Sequence, residues 1–200
     1  MGREKNMTKI AIQTATETET SSIIAILVLA FSTDPVLRWM YPYPSDYLRH
    51  FPDFAKVFAS KAFAQRTAYY GPDWAGTALW LPPGIEPDLE EVIIFLKRTV
   101  TESLQEELFD LFEQMGRYHP NKPHWYLPLI GVETRQQHRG LGSALVEPVL
   151  SQCDRDQRLA YLESTNPDNI SFYERHGFEV LDTIQVGSSP PVFPMLRQPQ

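Results

Sequence analysis

The segment Gln137-His138-Arg139-Gly140-Leu141-Gly142 constrains this chain more than any other. An apolar strand-like run, Trp125 to Val132, precedes it, and a helix-like run from Ser143 to about Cys153 follows. A strand that passes through a short loop with two glycines into a helix makes an anion cradle. The glycines let the backbone approach a ligand and adopt positive φ. The first amides of the helix lack internal partners, and the helix dipole favours negative charge beside them. A phosphate or pyrophosphate is the guest that suits such a turn.

Residue identity excludes two common phosphate loops. A P-loop ends in Gly-Lys-Ser/Thr, which is absent. A dinucleotide fingerprint needs a third small residue where Leu145 stands. What remains is the pattern Gln/Arg-x-x-Gly-x-Gly/Ala, opened by Gln137. Downstream, Leu159 to Thr165 is a second apolar run fit for a buried strand. Asn166-Pro167 then signals a turn, Asp168 or Asn169 can cap a helix, and Gly177 suits its end. That helix carries Phe172-Tyr173 and is followed by Gly177-Phe178.

These two signatures, in this order and one strand apart, resemble those of the GNAT N-acetyltransferases. Residues 124–185 are similar to the puromycin N-acetyltransferase-like members of that superfamily. The N-terminal half resembles them only in Ala30-Phe31 followed by Asp34-Pro35. The resemblance implies an α/β (α+β) GNAT fold, a mixed and mostly antiparallel sheet flanked by helices, with strands 4 and 5 splayed. It implies one acetyltransferase domain over residues 9–200.

It also implies a chemistry with acetyl-CoA as cosubstrate. An amine attacks a thioester directly, an oxyanion forms, and a thiolate leaves. Holding both reactants close supplies much of the rate. The pantetheine arm would lie along Leu129 to Val132, Ile130 included, where a free amide faces the thioester oxygen. The amides of Arg139, Gly140, Leu141, Gly142 and Ser143, after Gln137, would hold the pyrophosphate, and Arg135 and Arg139 can add charge. Tyr173 is the expected general acid, because a phenol keeps its proton at neutral pH and can give it up. Asn169 would bind the pantetheine or cap its helix, and Phe172 would pack beneath the cofactor.

Two carboxylates are candidates for the base that deprotonates the acceptor. Glu133 ends the key strand, where some family members carry a catalytic carboxylate. Glu163 lies inside an apolar strand, where a carboxylate needs a partner or a purpose, and shares a face with Tyr161 and Thr165. His138 sits in the phosphate loop and reads as a surface residue. The other histidines show no metal-ligand spacing, so no metal is expected. The acceptor pocket is expected from Asp34, Trp39, Tyr41 and Tyr43 in a Pro-broken region. Trp80 is expected to pack inside.

The bulk numbers bound the partners. The chain has 200 residues, 42% of them hydrophobic, enough for a sizeable core. A net charge of −7 argues against nucleic acid, whose affinity rests on neutralised phosphates. One cysteine, Cys153, excludes an intramolecular disulfide and fits a reducing cytoplasm; beside Asp154 it is a poor nucleophile. The longest apolar run, Ile23 to Phe31, is about half a membrane span, so no membrane partner is expected. Acidic residues before it argue against a signal peptide, and Asn6 argues against myristoylation at Gly2. Residues 1–8 read as a polar frayed end, with Met7 a second candidate start. Oligomeric state has no signature, which leaves room for a homodimer.

Patterning predicts a strand over Lys9–Ala15 and a helix from about Thr20 through Phe31, broken by Ser32 to Pro35. A short helix over 36–41 and a longer one over 46–63, despite Pro52, should follow. Arg66–Tyr70 and Trp74–Leu81 read as a hairpin. Helices are expected over 87–100 and 103–117, the second with the stripe Leu108, Leu111, Phe112 and Met115, then a linker over 118–123. Val192–Leu196 should close the sheet. The expected function is transfer of an acetyl group from acetyl-CoA to the primary amine of a small molecule. A protein or peptide amine acetyltransferase and a non-catalytic acyl-CoA sensor are the alternatives.

Overall fold

The computed structural model describes residues 10–200. The expected frayed end and the start of the first strand at Lys9 lie outside the described residues. Seven strands form one sheet: β1 Gln13–Thr14, β2 Ala68–Tyr70, β3 Gly76–Leu81, β4 His124–Val132, β5 Leu159–Ser164, β6 Phe178–Val180 and β7 Phe193–Arg197. Their order is β1-β2-β3-β4-β5-β7-β6. Only β4 and β5 are parallel; the other neighbours are antiparallel. This is the mixed, mostly antiparallel sheet that the motifs imply.

Among the described residues seven α-helices cover the two faces. On one face pack α1 Thr20–Ala30, α2 Pro35–Met40, α3 Pro44–Ala64, α4 Leu89–Thr99 and α5 Glu102–Tyr118; on the other pack α6 Leu141–Asp156 and α7 Ile170–Glu174. Local chemistry sets their ends. Asp34 Oδ1 accepts from the Leu37 amide, and Pro35 takes the first turn of α2, where no amide is needed. Asp88 caps α4 through the Glu91 amide, with Glu90 and Glu91 in its first turn and Lys97 and Arg98 in its last. Among the described residues no helix is long and apolar enough to cross a membrane.

Two irregularities in β4 prepare the site. Its pairing with β5 covers only His124, Trp125 and Tyr126, against Leu159, Ala160 and Tyr161. Beyond them β4 stays with β3 and β5 stays with β7, so the two strands part. The second irregularity is a β-bulge. Leu79 pairs with Leu129 and Leu81 with Tyr126, so Trp80 alone opposes Leu127 and Pro128. Pro128 has no amide to donate, which suits a bulge better than a regular ladder. The extra residue changes the phase of the strand. Trp125 and Leu127 face α6, and so do Ile130 and Val132, whereas Tyr126 and Leu129 join the opposite core.

The sheet departs from expectation at its margins. β3 starts at Gly76, because Asp73 and Trp74 take positive φ in a tight turn that stacks Trp74 on Tyr70 at 4.4 Å. Val192 leaves the last strand to bridge Ile184, so β7 runs from Phe193. β6, which the sequence reading did not separate from its helix, forms the far edge. Trp80 is fully buried, as expected.

Candidate active site

Among the described residues, the loop that enters α6 is a row of unengaged donors. Gly140 caps α6 in the left-handed region with φ 85°, which a side chain opposes. Its carbonyl accepts the first helical bond, from Ala144. Among the described residues, no amide from His138 to Ser143 donates to a backbone carbonyl. Gln137 Nε2 reaches back to the Val132 carbonyl at 3.3 Å and ties the loop to the end of β4. At Gly142 a Cβ would lie 3.1 Å from the Phe172 ring, so the absent side chain lets α7 close on the loop.

This loop opens into a cavity of about 550 Å³ between the parted strands. Its lining runs from Gly140, Gly142 and Ser143, past Ile130 and Val132, to an aromatic end. That end is made by Phe51, Phe54 and Phe58 of α3 and by Leu111, Phe112 and Met115 of α5. Helical spacing puts each trio on one face of its helix.

Polar groups stand between the two ends. Tyr173 is buried in α7 and lines the cavity. Burial, and then the charge of Asp34, push its phenol above the ordinary value. Asp34 is 7% exposed; besides capping α2 it accepts from Thr165 Oγ1. Burial raises its carboxyl, against the lowering effect of those hydrogen bonds. Glu163 lines the cavity from β5, and its Oε1 contacts His119 Nε2 at 2.8 Å. This is an ion-pair contact rather than an aligned hydrogen bond: Oε1 and the Tyr161 hydroxyl are buried without a well-aligned partner. Burial lowers the imidazole of His119, but the hydrogen-bonding and charge effects of Glu163, with Glu86, outweigh it and the net shift is upward. Burial first, and the Glu163 carboxylate second, raise the Tyr126 and Tyr161 phenols.

The cavity therefore brings together Asp34, Ile130, Val132, Gln137, Gly140, Gly142, Ser143, Glu163, Asn169, Phe172 and Tyr173. Other candidates lie outside its lining. Tyr41 is 1% exposed and bonded to Thr99 Oγ1 in the core, and Trp39 donates to Ser188 Oγ. Tyr43 is exposed. Glu133 follows β4 in a turn, its amide bonded to the Ala75 carbonyl. Arg139 is exposed and donates to Gln136 Oε1, and Arg135 is also exposed. The side chain of Leu141 is buried against Gly71 and Gly76, outside the cavity lining. Asn169 makes no cap bond to α7; Asn166 caps the short turn before it, accepting from the Asp168 amide. His138 is exposed at positive φ, yet it lines the mouth of the cavity.

The sequence reading missed His119, Tyr126, Thr165 and the α5 residues Leu111, Phe112 and Met115 as site residues. The lone carboxylate of β5 was the available signal, since a buried Glu demands a nearby donor. Cys153 is fully buried, its thiol pushed up to about 12 chiefly by burial, and is no nucleophile. No cluster of metal-ligating side chains occurs among the described residues.

The comparisons agree with this architecture. An uncharacterized N-acetyltransferase of Schizosaccharomyces pombe is 28% identical over 143 residues, 64% of this chain. The match spans 58% of that relative's length. A Corynebacterium glutamicum structure described as histone acetyltransferase HPA2 and related acetyltransferase superposes with a TM-score of 0.68 at 25% identity. It covers 96% of this chain and 97% of its own. Arylalkylamine N-acetyltransferase 2 of Aedes aegypti shares the fold, with a TM-score of 0.66 at 15% identity over 96% of this chain and 99% of its own. The model of the acetyltransferase (GNAT) family matches residues 29–178, and the chain belongs to that family.

Proposed function

We propose that this chain is an acetyl-CoA-dependent N-acetyltransferase, with residues 9–200 acting as one catalytic domain on a small hydrophobic primary amine. One observation carries the reading: a single cavity joins the unengaged loop amides, Tyr173 and Glu163 to an aromatic end. The residues present fit coenzyme A. Six successive amides, His138 to Ser143, suit a diphosphate, and the edge of β4 beyond Tyr126 is unpaired on the β5 side. When bound there, acetyl-CoA supplies an activated acetyl group.

The chain's own groups perform the remaining tasks. Tyr173 holds a proton on a phenol that burial keeps neutral, ready for a departing thiolate. Glu163 presents a carboxylate that can take a proton from an acceptor ammonium. Asp34 adds a second acceptor of hydrogen bonds. Phe51, Phe54, Phe58 and Phe112 favour an acceptor with an apolar or aromatic body. An aminoacyl amine of the puromycin type is the first to test, given the resemblance over residues 124–185. The fully buried Cys153 supports direct transfer and suits a reducing, cytoplasmic setting.

Thiol release from acetyl-CoA, measured across puromycin, arylalkylamines and a lysine peptide, tests this reading. Release with the hydrophobic small amines is the expected result. Release with the peptide alone, or with no amine despite coenzyme A binding, contradicts it.

A further inference from the structure

An acceptor that arrives as an ammonium must shed a proton, and a buried carboxylate that takes it must pass it on. The side chain of Glu163 is only 3% exposed, and it faces the cavity that a bound acceptor would fill. His119, just past the end of α5, stands behind it. Its side chain is 30% exposed, and its Nε2 lies 2.8 Å from Glu163 Oε1. Glu163 lines the cavity and His119 does not. The pair thus spans the wall, one member inside and the other reaching water.

The surroundings hold the imidazole in this role. Its ring packs on Tyr161 at 4.5 Å and on Tyr126 at 4.9 Å, which fixes its plane. The groups that face it are Glu163 and Tyr161 from β5, Tyr126 and His124 from β4, and Glu86 from the β3–α4 connection; Tyr118 precedes it at the end of α5. His124 is tied elsewhere, its Nδ1 paired with the Lys122 carbonyl at 2.8 Å. Among these groups His119 alone combines an ion-pair contact with Glu163, solvent exposure and an imidazole that can carry a proton in either direction.

We propose that His119 is the proton exit of the site, taking from Glu163 the proton that Glu163 removes from the acceptor. The balance is simple. An N–H bond of the ammonium breaks, its electron pair stays on nitrogen, and the proton joins a Glu163 oxygen. The carboxyl turns into line with unprotonated Nε2 of His119, 2.8 Å away, which accepts the proton, and the imidazolium releases a proton to water. Glu163 and His119 return to their starting states. His119 is a positioning and relay residue and touches no reactant. The inference rests on the proposed function and adds to it the path by which the proton leaves.

Two measurements test it. In the first, imidazole C–H resonances are titrated in the whole protein, with His119 assigned by H119Q. Glu163→Gln should lower the His119 midpoint by roughly one pH unit or more, because a paired carboxylate favours the imidazolium. In the second, kcat/KM is followed against pH with an amine from the panel. His119→Gln should lower the plateau roughly 10- to 100-fold, within the scale of acid–base contributions, and move the acid limb to lower pH. Coenzyme A affinity should not change. An unmoved midpoint in E163Q, or an unchanged limb and plateau in H119Q, overturns the relay while leaving the acetyltransferase reading intact. A shifted midpoint with no turnover of any amine by the wild type overturns that reading and the relay with it.

Discussion

Asp34 and Thr165 are 131 positions apart, and the hydroxyl of Thr165 donates to Asp34 Oδ2 inside the cavity. This bond ties the start of α2 to the end of β5, across the gap where β4 and β5 part. Asp34 also caps α2, so its charge is held by structure as well as available to a ligand. Asp34→Asn keeps an oxygen for the Leu37 amide and an amide group beside Thr165, which can accept. The carboxyl is raised by burial above its ordinary value, so its contribution to stability is full below that value and is lost as pH rises through the raised one. D34N should therefore be at least as stable as wild type at neutral pH, with wild type gaining relative to it in acid. KM for the amine should rise. Denaturation at several pH values, paired with steady-state kinetics, checks both halves.

Gly140 must hold its left-handed conformation when the loop carries a diphosphate. In Gly140→Ala the free loop can relax, and binding must restore a backbone that costs about 1 kcal/mol with a side chain present. The dissociation constant of coenzyme A should rise about fivefold, the equivalent of that energy. Gly142→Ala should act in the same direction by displacing the Phe172 ring, which lies within 3.2 Å of the added carbon. Calorimetric titration with coenzyme A measures both.

Tyr173→Phe should cut kcat by about a hundredfold, the scale of a lost general acid, with coenzyme A binding nearly intact. Because burial and Asp34 raise the phenol, wild-type turnover should persist past the ordinary phenol value of 10.0. An alkaline limb at or below that value, or unchanged turnover in Y173F, removes the acid role.

His119 also links stability to pH. Its folded-state value is raised, so the stabilisation it provides is full below the ordinary 6.5 and fades as pH rises through the raised value. Urea denaturation of wild type and H119Q should show the largest difference near about pH 5 and a smaller one near about pH 9. An equal difference at both pH values contradicts the pairing.

The turn into α6 was legible in the sequence because its glycines answer to backbone geometry, which is local. Most of the sheet was legible because apolar runs and turn residues mark its strands, β6 excepted, and its mixed character follows from the motifs. The aromatic end of the cavity was not. Tyr41 was read as pocket but is core, while Phe112 and Met115 were read only as a stripe on a helix and line the cavity; aromatic and thioether side chains serve both places equally well. His119 was hidden in a linker whose residues show no periodicity. Only the meeting of α5 and β5 in space brings it to Glu163. The bulge at Leu127 and Pro128 had a local sign, a proline inside a strand, but its register depends on the partner β3.

The central claim is that six successive main-chain amides at the entry to α6 receive a diphosphate. Backbone amide resonances of residues 138–143, followed as coenzyme A is added and again as pantetheine alone is added, test it most directly. The account predicts that these six move and become protected from exchange with coenzyme A, and stay in place with pantetheine. Coenzyme A that binds without moving them, or that fails to bind, contradicts it.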